Sequence, residues 1–211
     1  SVDINNYENA SIIHDLNYEI DSKYYNKFTS LIDSGSIEHL FDTKTVLENY
    51  ANLLKKKGNL FISTCANNSC GHGFYQFSPE FFISIFNEAN GFEIKNIFLE
   101  DYSIFGNTRA FTKLYRYKGK KNLNDRTIII NNKPIDIIIH AIKTKEKVSF
   151  KKIVQTDYLI TEKTNQNKNN SFKSKIINKV PKIILKLYEF IKYKKEYSLK
   201  NRKFFERVKI L

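Results

Sequence analysis

The sequence predicts an α/β fold, an open sheet with helices on both of its faces. Short β-branched runs alternate along the body with amphipathic helical segments. The 41% hydrophobic content of 211 residues is enough for one core of ordinary size. Charge then sets the C-terminal part aside. Of the formal net +13, residues 165–211 carry 14 Lys/Arg against three Glu, while residues 1–164 carry 21 Lys/Arg against 19 Asp/Glu. The body is nearly neutral and the tail is basic.

Residues 1–4 and 11–14 read as short strands, each ending near an acid, Asp3 and Asp15. Residues 28–32 read as a buried strand running into Asp33, Ser34, Gly35 and Ser36. A helix is expected from about Thr43, with Asp42 as N-cap, because Val46, Leu47, Tyr50, Leu53 and Leu54 recur at helical spacing. Lys55, Lys56 and Lys57 would suit the negative end of its dipole, and Gly58 would stop it. A strand over 60–64 leads into a polar, aromatic loop over 66–77. Ser78, Pro79 and Glu80 open the next helix, since Ser caps, Pro fits the first turn and Glu favours the positive dipole end; Gly91 closes it. Late strands are expected over 92–99 and 133–143, the second preceded by the apolar run 126–130 and a turn at Asn131 and Asn132. Residues 164–174 are Asn/Lys-rich without apolar periodicity and read as a flexible linker. Residues 174–197 then alternate an apolar face (Ile176, Ile177, Val180, Ile184, Leu187, Tyr188, Ile191) with a lysine face (Lys175, Lys179, Lys182, Lys186), a basic amphipathic helix kinked at Pro181. The expected organisation is a domain over 1–163, a linker over 164–174 and a helical tail over 175–211.

Three stretches carry a resemblance: DSGSIEHLFD at 33–42, LLKKKGNLFIST at 53–64 and ANNSCGHGFYQFSPEFF at 66–82. Together they resemble bacterial class I S-adenosylmethionine-dependent methyltransferases of the kind encoded with surface-glycan genes. IIHDLN at 12–17, SVDIN at 1–5 and RTIIINNKPIDIIIHAIK at 126–143 extend the likeness more loosely. The resemblance implies a Rossmann-like doubly wound sheet, mostly parallel with an antiparallel closing strand. Lys56 and Lys57 stand before Gly58 where the family carries proline and paired glycines. The family's first strand and its Gly-x-Gly loop would lie upstream of Ser1, so the expectation is a partial domain, inactive as it stands.

The same resemblance implies S-adenosyl-L-methionine as cofactor and methyl transfer, on oxygen, to a small-molecule or glycan acceptor. Asp3, with Ile4 beside it, would take the ribose hydroxyls, and Asp15 with Leu16 the adenine; a solvated terminal Asp and a strand-end turn Asp are the plainer readings. Asp33, Ser34 and Gly35 mark a strand end where backbone can approach a cofactor, although a simple turn accounts for them nearly as well. Glu38 and His39 follow in the next turn. His39 is a candidate base because imidazole ordinarily titrates near neutrality, against the commoner role of helix packing. His72 is the second catalytic candidate. Around it Asn67, Asn68, Tyr75 and Gln76 offer donors, acceptors and flat faces to a hydroxyl-rich acceptor, the rival being a structural knot of hydrogen bonds. His14 and His140 sit in apolar runs and read as core.

No metal site is expected, since Cys65 and Cys70 have no further Cys or clustered His to complete a set. No apolar run nears the roughly 20 residues that cross a bilayer and no signal-peptide pattern opens the chain, so the expected location is cytoplasmic. The tail adds a peripheral contact with an anionic inner membrane face, or else a helix packed on the body or a second subunit. Nucleic acid is disfavoured, because the tail lacks a stacking platform. Two rivals stand beside methyl transfer: an inactive relative of the fold serving interaction or membrane docking, and a basic nucleic-acid-binding module.

Overall fold

The computed structural model describes residues 1–7, 9–101, 112–119, 127–150, 153–156 and 181–208. Two sheets are present among them. Strands β1 (Val2–Asp3) and β2 (Ile12–Ile13) form a small parallel pair. The main sheet has six strands: β3 (Phe28–Ser34), β4 (Leu54–Asn67), β5 (Phe92–Asp101), β6 (Lys113–Tyr117), β7 (Ile135–Lys143) and β8 (Phe205–Val208). Their spatial order is β3-β4-β7-β5-β6-β8. β3 and β4 run parallel, whereas β7 lies antiparallel between β4 and β5, and β6 and β8 continue antiparallel. The sheet is therefore mixed, not mostly parallel. The antiparallel closing strand is present, but its insertion reverses the pairing on both of its sides.

The described helices α1 (Thr43–Leu53) and α2 (Pro79–Ile85) share one hydrophobic cluster with the sheet. Val46, Leu47 and Tyr50 of α1 and Phe82 and Ile85 of α2 meet Leu60 and Ile62 of β4 and Ile135, Ile137 and Ile139 of β7. The period of two puts these β7 residues on the buried face and leaves Asp136, Ile138 and His140 half-buried on the other. His140 stacks on Phe61 with ring centroids 4.5 Å apart and contacts Asn59 Oδ1 at 2.9 Å. His14 is likewise half-buried, on the Tyr18 carbonyl, so neither histidine is deep core.

Asp42 caps α1 as expected, accepting from the Thr45 N–H at 3.1 Å and from its hydroxyl at 2.7 Å. The helix nonetheless ends at Leu53, before Gly58. Its last carbonyls are taken by tertiary donors: Lys143 Nζ donates to Ala51 and Leu54, and the Asn26 and Lys27 N–H groups to Asn52 and Leu53. Leu54 is already extended, and Lys55, Lys56 and Lys57 bulge from β4, because Phe28 faces Leu54 while Ser30 faces Asn59. Ser78 caps α2 through the Phe81 N–H, but that helix also ends early, at Ile85, where Asn87 and Asn90 amides donate to the Ser84 and Ile85 carbonyls.

β3 departs from the expected buried strand. It is an edge strand of the main sheet, and Ile32 is 76% exposed, with only Asp33 buried. β6 and β8 were not expected as strands; the linker reading of 164–174 and the helical reading of 174–180 fall outside the described residues. Helix α3 (Lys182–Glu196) has Pro181 as its N-cap and no buried residue; the expected kink at Pro181 depends on residues 174–180, outside the described residues. β8 then returns the tail to the sheet by pairing with β6, so residues 205–208 belong to the body and not to a helical tail.

Candidate functional site

The carboxyl ends of the parallel strands β3 and β4 meet at a cavity of about 540 Å³, lined by Ser34, Gly35, Glu38, His39, Thr64 and His72 among others. Asp33, near the end of β3, anchors the turn that lines it. Its carboxylate accepts from the Ser36 N–H at 2.7 Å, the Ile37 N–H at 3.2 Å and the buried Tyr50 hydroxyl at 2.9 Å. Burial raises the Asp33 carboxyl above its ordinary value, with the Ser36 and Tyr50 hydrogen bonds opposing, and burial lifts the Tyr50 phenol well above its own. These bonds hold a 3-10 turn, Ile37–His39, that aims Glu38 and His39 at the cavity. Gly35 permits the entry with φ +95°, and a Cβ there would stand 3.2 Å from Glu38 Oε1.

The loop between β4 and α2 closes the opposite wall by docking on Glu38 itself. The Phe74 and Tyr75 N–H groups donate to the Glu38 carbonyl at 2.6 and 3.3 Å, and the buried Cys65 thiol lies 3.1 Å from the Tyr75 carbonyl. Burial raises that thiol above its ordinary value, with Glu38 and Asp136 adding to the effect. His72 is thereby carried to the cavity mouth, with Nε2 3.6 Å from Glu38 Oε1 and its ring edge-on to His39 at 4.9 Å between centroids. Glu38 is buried, and its Oε2 accepts from the Thr64 hydroxyl at 2.7 Å.

The structure brings the catalytic candidates His39 and His72 together with Ser34 and Gly35. Asp33 is beside them, but its carboxylate serves the turn. The loop residues act differently from one another. Asn67 and Asn68 donate to Asn131 and Asn68 also to Lys133, Gln76 accepts from the Ser69 N–H, and the Tyr75 hydroxyl donates to the Phe41 carbonyl. These bonds tie the loop to Phe41, Asn131 and Lys133. Asn67 also lines a second cavity of about 520 Å³ with Phe77, Leu99 and Tyr117.

Asp3 and Asp15 lie elsewhere, at the ends of β1 and β2. Each uses Oδ1 in a local turn, Asp3 for the Asn5 N–H and Asp15 for Asn17, and Oδ2 of each accepts no hydrogen bond among the described residues. Ile4 is 62% exposed. Leu16 lines a third cavity of about 370 Å³ between the β1–β2 pair and the open edge of β3, with Val2, Ile12, Ile32 and Asp33. No family model, curated protein or solved structure matches the chain. Among the described residues no helix is long and apolar enough to cross a membrane.

Glu38 is the residue that sequence reasoning passed over as a site member. Its only signal was adjacency to His39; the 34 residues separating it from His72 conceal their meeting. The cysteine-based expectation of no metal site did not weigh this carboxylate and two imidazoles as one set of donors.

Proposed function

We propose that this chain is a large part of a class I S-adenosylmethionine-dependent methyltransferase with a Rossmann-like sheet, acting on a hydroxyl of a small-molecule or glycan acceptor. One observation carries the reading: a parallel pair β3-β4 is followed in space by the late strand β7 in antiparallel sense and then by β5, while β1 and β2 stand apart across a cavity. A parallel strand entering that cavity beside β3 would join both sheets and cover Ile32. Ligands of such sheets sit outside the carboxyl ends of the strands.

The donor set suits the cofactor in part. Asp3 and Asp15 each keep a carboxylate oxygen for a ribose hydroxyl or an adenine amino group, and Leu16 offers an apolar face. The bound cofactor would supply an electrophilic methyl group. The chain's own residues do the rest: Gly35 leaves room for close approach, and the Glu38–His39–His72 corner receives the acceptor hydroxyl and helps it lose its proton. Calorimetric titration of S-adenosylmethionine into the longest natural product of the gene tests this. Micromolar binding supports the reading; no binding returns the chain to an inactive relative of the fold.

A second reading concerns α3. Ile184, Leu187 and Ile191 are 53–59% exposed on a helix that also presents Lys182, Lys186, Lys192, Lys194 and Lys195. An apolar stripe flanked by lysines suits an anionic membrane surface and supports a peripheral location at the inner face. Co-sedimentation with phosphatidylserine vesicles, lost in Leu187→Glu and absent with neutral vesicles, is the expected result. Binding that survives Leu187→Glu would refute it.

A further inference from the structure

We propose that Glu38, His39 and His72 form a binding site for a divalent transition-metal ion. One ligand atom from each lies within 4.8 Å of the other two. The His72 Nε2 to Glu38 Oε1 separation of 3.6 Å is too long for a hydrogen bond, for which about 3.2 Å is the usual limit. It is close to the spacing of two ligands on one metal, about 3.0–3.4 Å when each bond is about 2.1 Å. Glu38 supplies the independent observation. Its side chain is 3% exposed, Oε2 is engaged by Thr64, and Oε1 accepts no hydrogen bond among the described residues while facing the cavity that both imidazoles line. A carboxylate oxygen that faces a cavity is open to a donor, a proton or a cation. The Thr64 hydroxyl fixes the carboxylate in the way that outer-shell partners orient metal ligands.

Two imidazoles and one carboxylate suit Mn²⁺, Fe²⁺, Co²⁺ or Zn²⁺ and not a hard ion that prefers oxygen alone. The three donors come from the turn after β3 and the loop after β4, and the cavity they line leaves space for the remaining coordination positions. Cation binding stands by itself; its role rests on the methyl-transfer reading. An acceptor hydroxyl bound to the ion would be acidified as metal-bound water is, and its proton would leave to solvent through the cavity mouth. Neither histidine then has to act as the base.

Co²⁺ titration of the 211-residue chain, followed by visible ligand-field absorption and by calorimetry, tests the site without cofactor or acceptor. The expected result is one ion per chain, with His39→Ala and His72→Ala each weakening it by at least about tenfold. Both residues are exposed, so their variants should keep the wild-type urea midpoint; His14→Ala should bind as the wild type does. Unchanged affinity in the two site variants, or the same loss in His14→Ala, would overturn the proposal. Binding of Co²⁺ without any affinity of the natural product for S-adenosylmethionine would keep the cation site and sink the methyltransferase reading instead.

Discussion

Replacing Asp33 with Ala removes the acceptor of three donors, and the structure sets the cost. The Ser36 N–H belongs to an exposed residue and can turn to water, but Ile37 and Tyr50 are 0% and 3% exposed and cannot. Two stranded buried donors cost about 1–3 kcal/mol each, partly offset because the buried carboxylate also disappears, for a net loss of about 2–4 kcal/mol. A domain has about 5–15 kcal/mol in total, so the variant should fold with a clearly lowered urea midpoint. A double-mutant cycle with Tyr50→Phe should show coupling of about 1 kcal/mol or more. The pH dependence has a defined sign. Because burial raises the folded-state carboxyl, the folded chain holds this proton more tightly than the unfolded chain. Its contribution is full below the unfolded carboxyl range and is lost as pH rises through the raised folded value. Asp33→Asn should abolish that part of the pH profile. A loss below about 0.5 kcal/mol in Asp33→Ala, or strict additivity with Tyr50→Phe, would refute the assignment of Asp33 as the anchor of the turn.

Lys143→Met should cost about 2–5 kcal/mol by leaving the Ala51 and Leu54 carbonyls without their donor, read as a fall in the urea midpoint. Burial lowers the Lys143 amine, so wild-type stability should rise with pH between that lowered value and the ordinary lysine range, a rise the Met variant lacks. Gly73→Ala places a Cβ 2.6 Å from the Glu38 carbonyl at φ +73°; it should destabilise by about 1–3 kcal/mol and abolish tight Co²⁺ binding by moving His72 away, both read in one titration series. Thr64→Val keeps the shape but removes the donor to Glu38 Oε2, and should weaken Co²⁺ by about 10–100-fold while His72 stays in place by NMR.

Capping and periodicity made the starts of both body helices legible: Asp42 and Ser78 bond as their residue types require. Their ends were not, because the groups that stop α1 come from Asn26, Lys27 and Lys143, distant in sequence. The alternation in β7 was readable, but whether it pairs parallel or antiparallel is a property of chain direction in space, which periodicity does not encode. β3 shows the same limit from another side: an apolar run looks identical in a central strand and in an edge strand. At the site, His39 and His72 were visible as residue types and Gly35 as a turn. Their common partner Glu38 emerged only when the loop over 66–77 folded back onto it.

That fold-back joins architecture to chemistry. The Glu38 backbone carbonyl receives two N–H groups from the loop that carries His72, while its side chain receives the Thr64 hydroxyl from β4. Asp33 fixes the turn from below through Tyr50 of α1. One residue is thus held by a strand end, a helix and a loop, and the three donor groups stay close together with no hydrogen bond between them. Thr64 satisfies one oxygen of the carboxylate, while the other has His72 Nε2 at 3.6 Å and accepts no hydrogen bond among the described residues. The arrangement preserves room for a fourth participant, and a small divalent cation meets its size, charge and donor chemistry together.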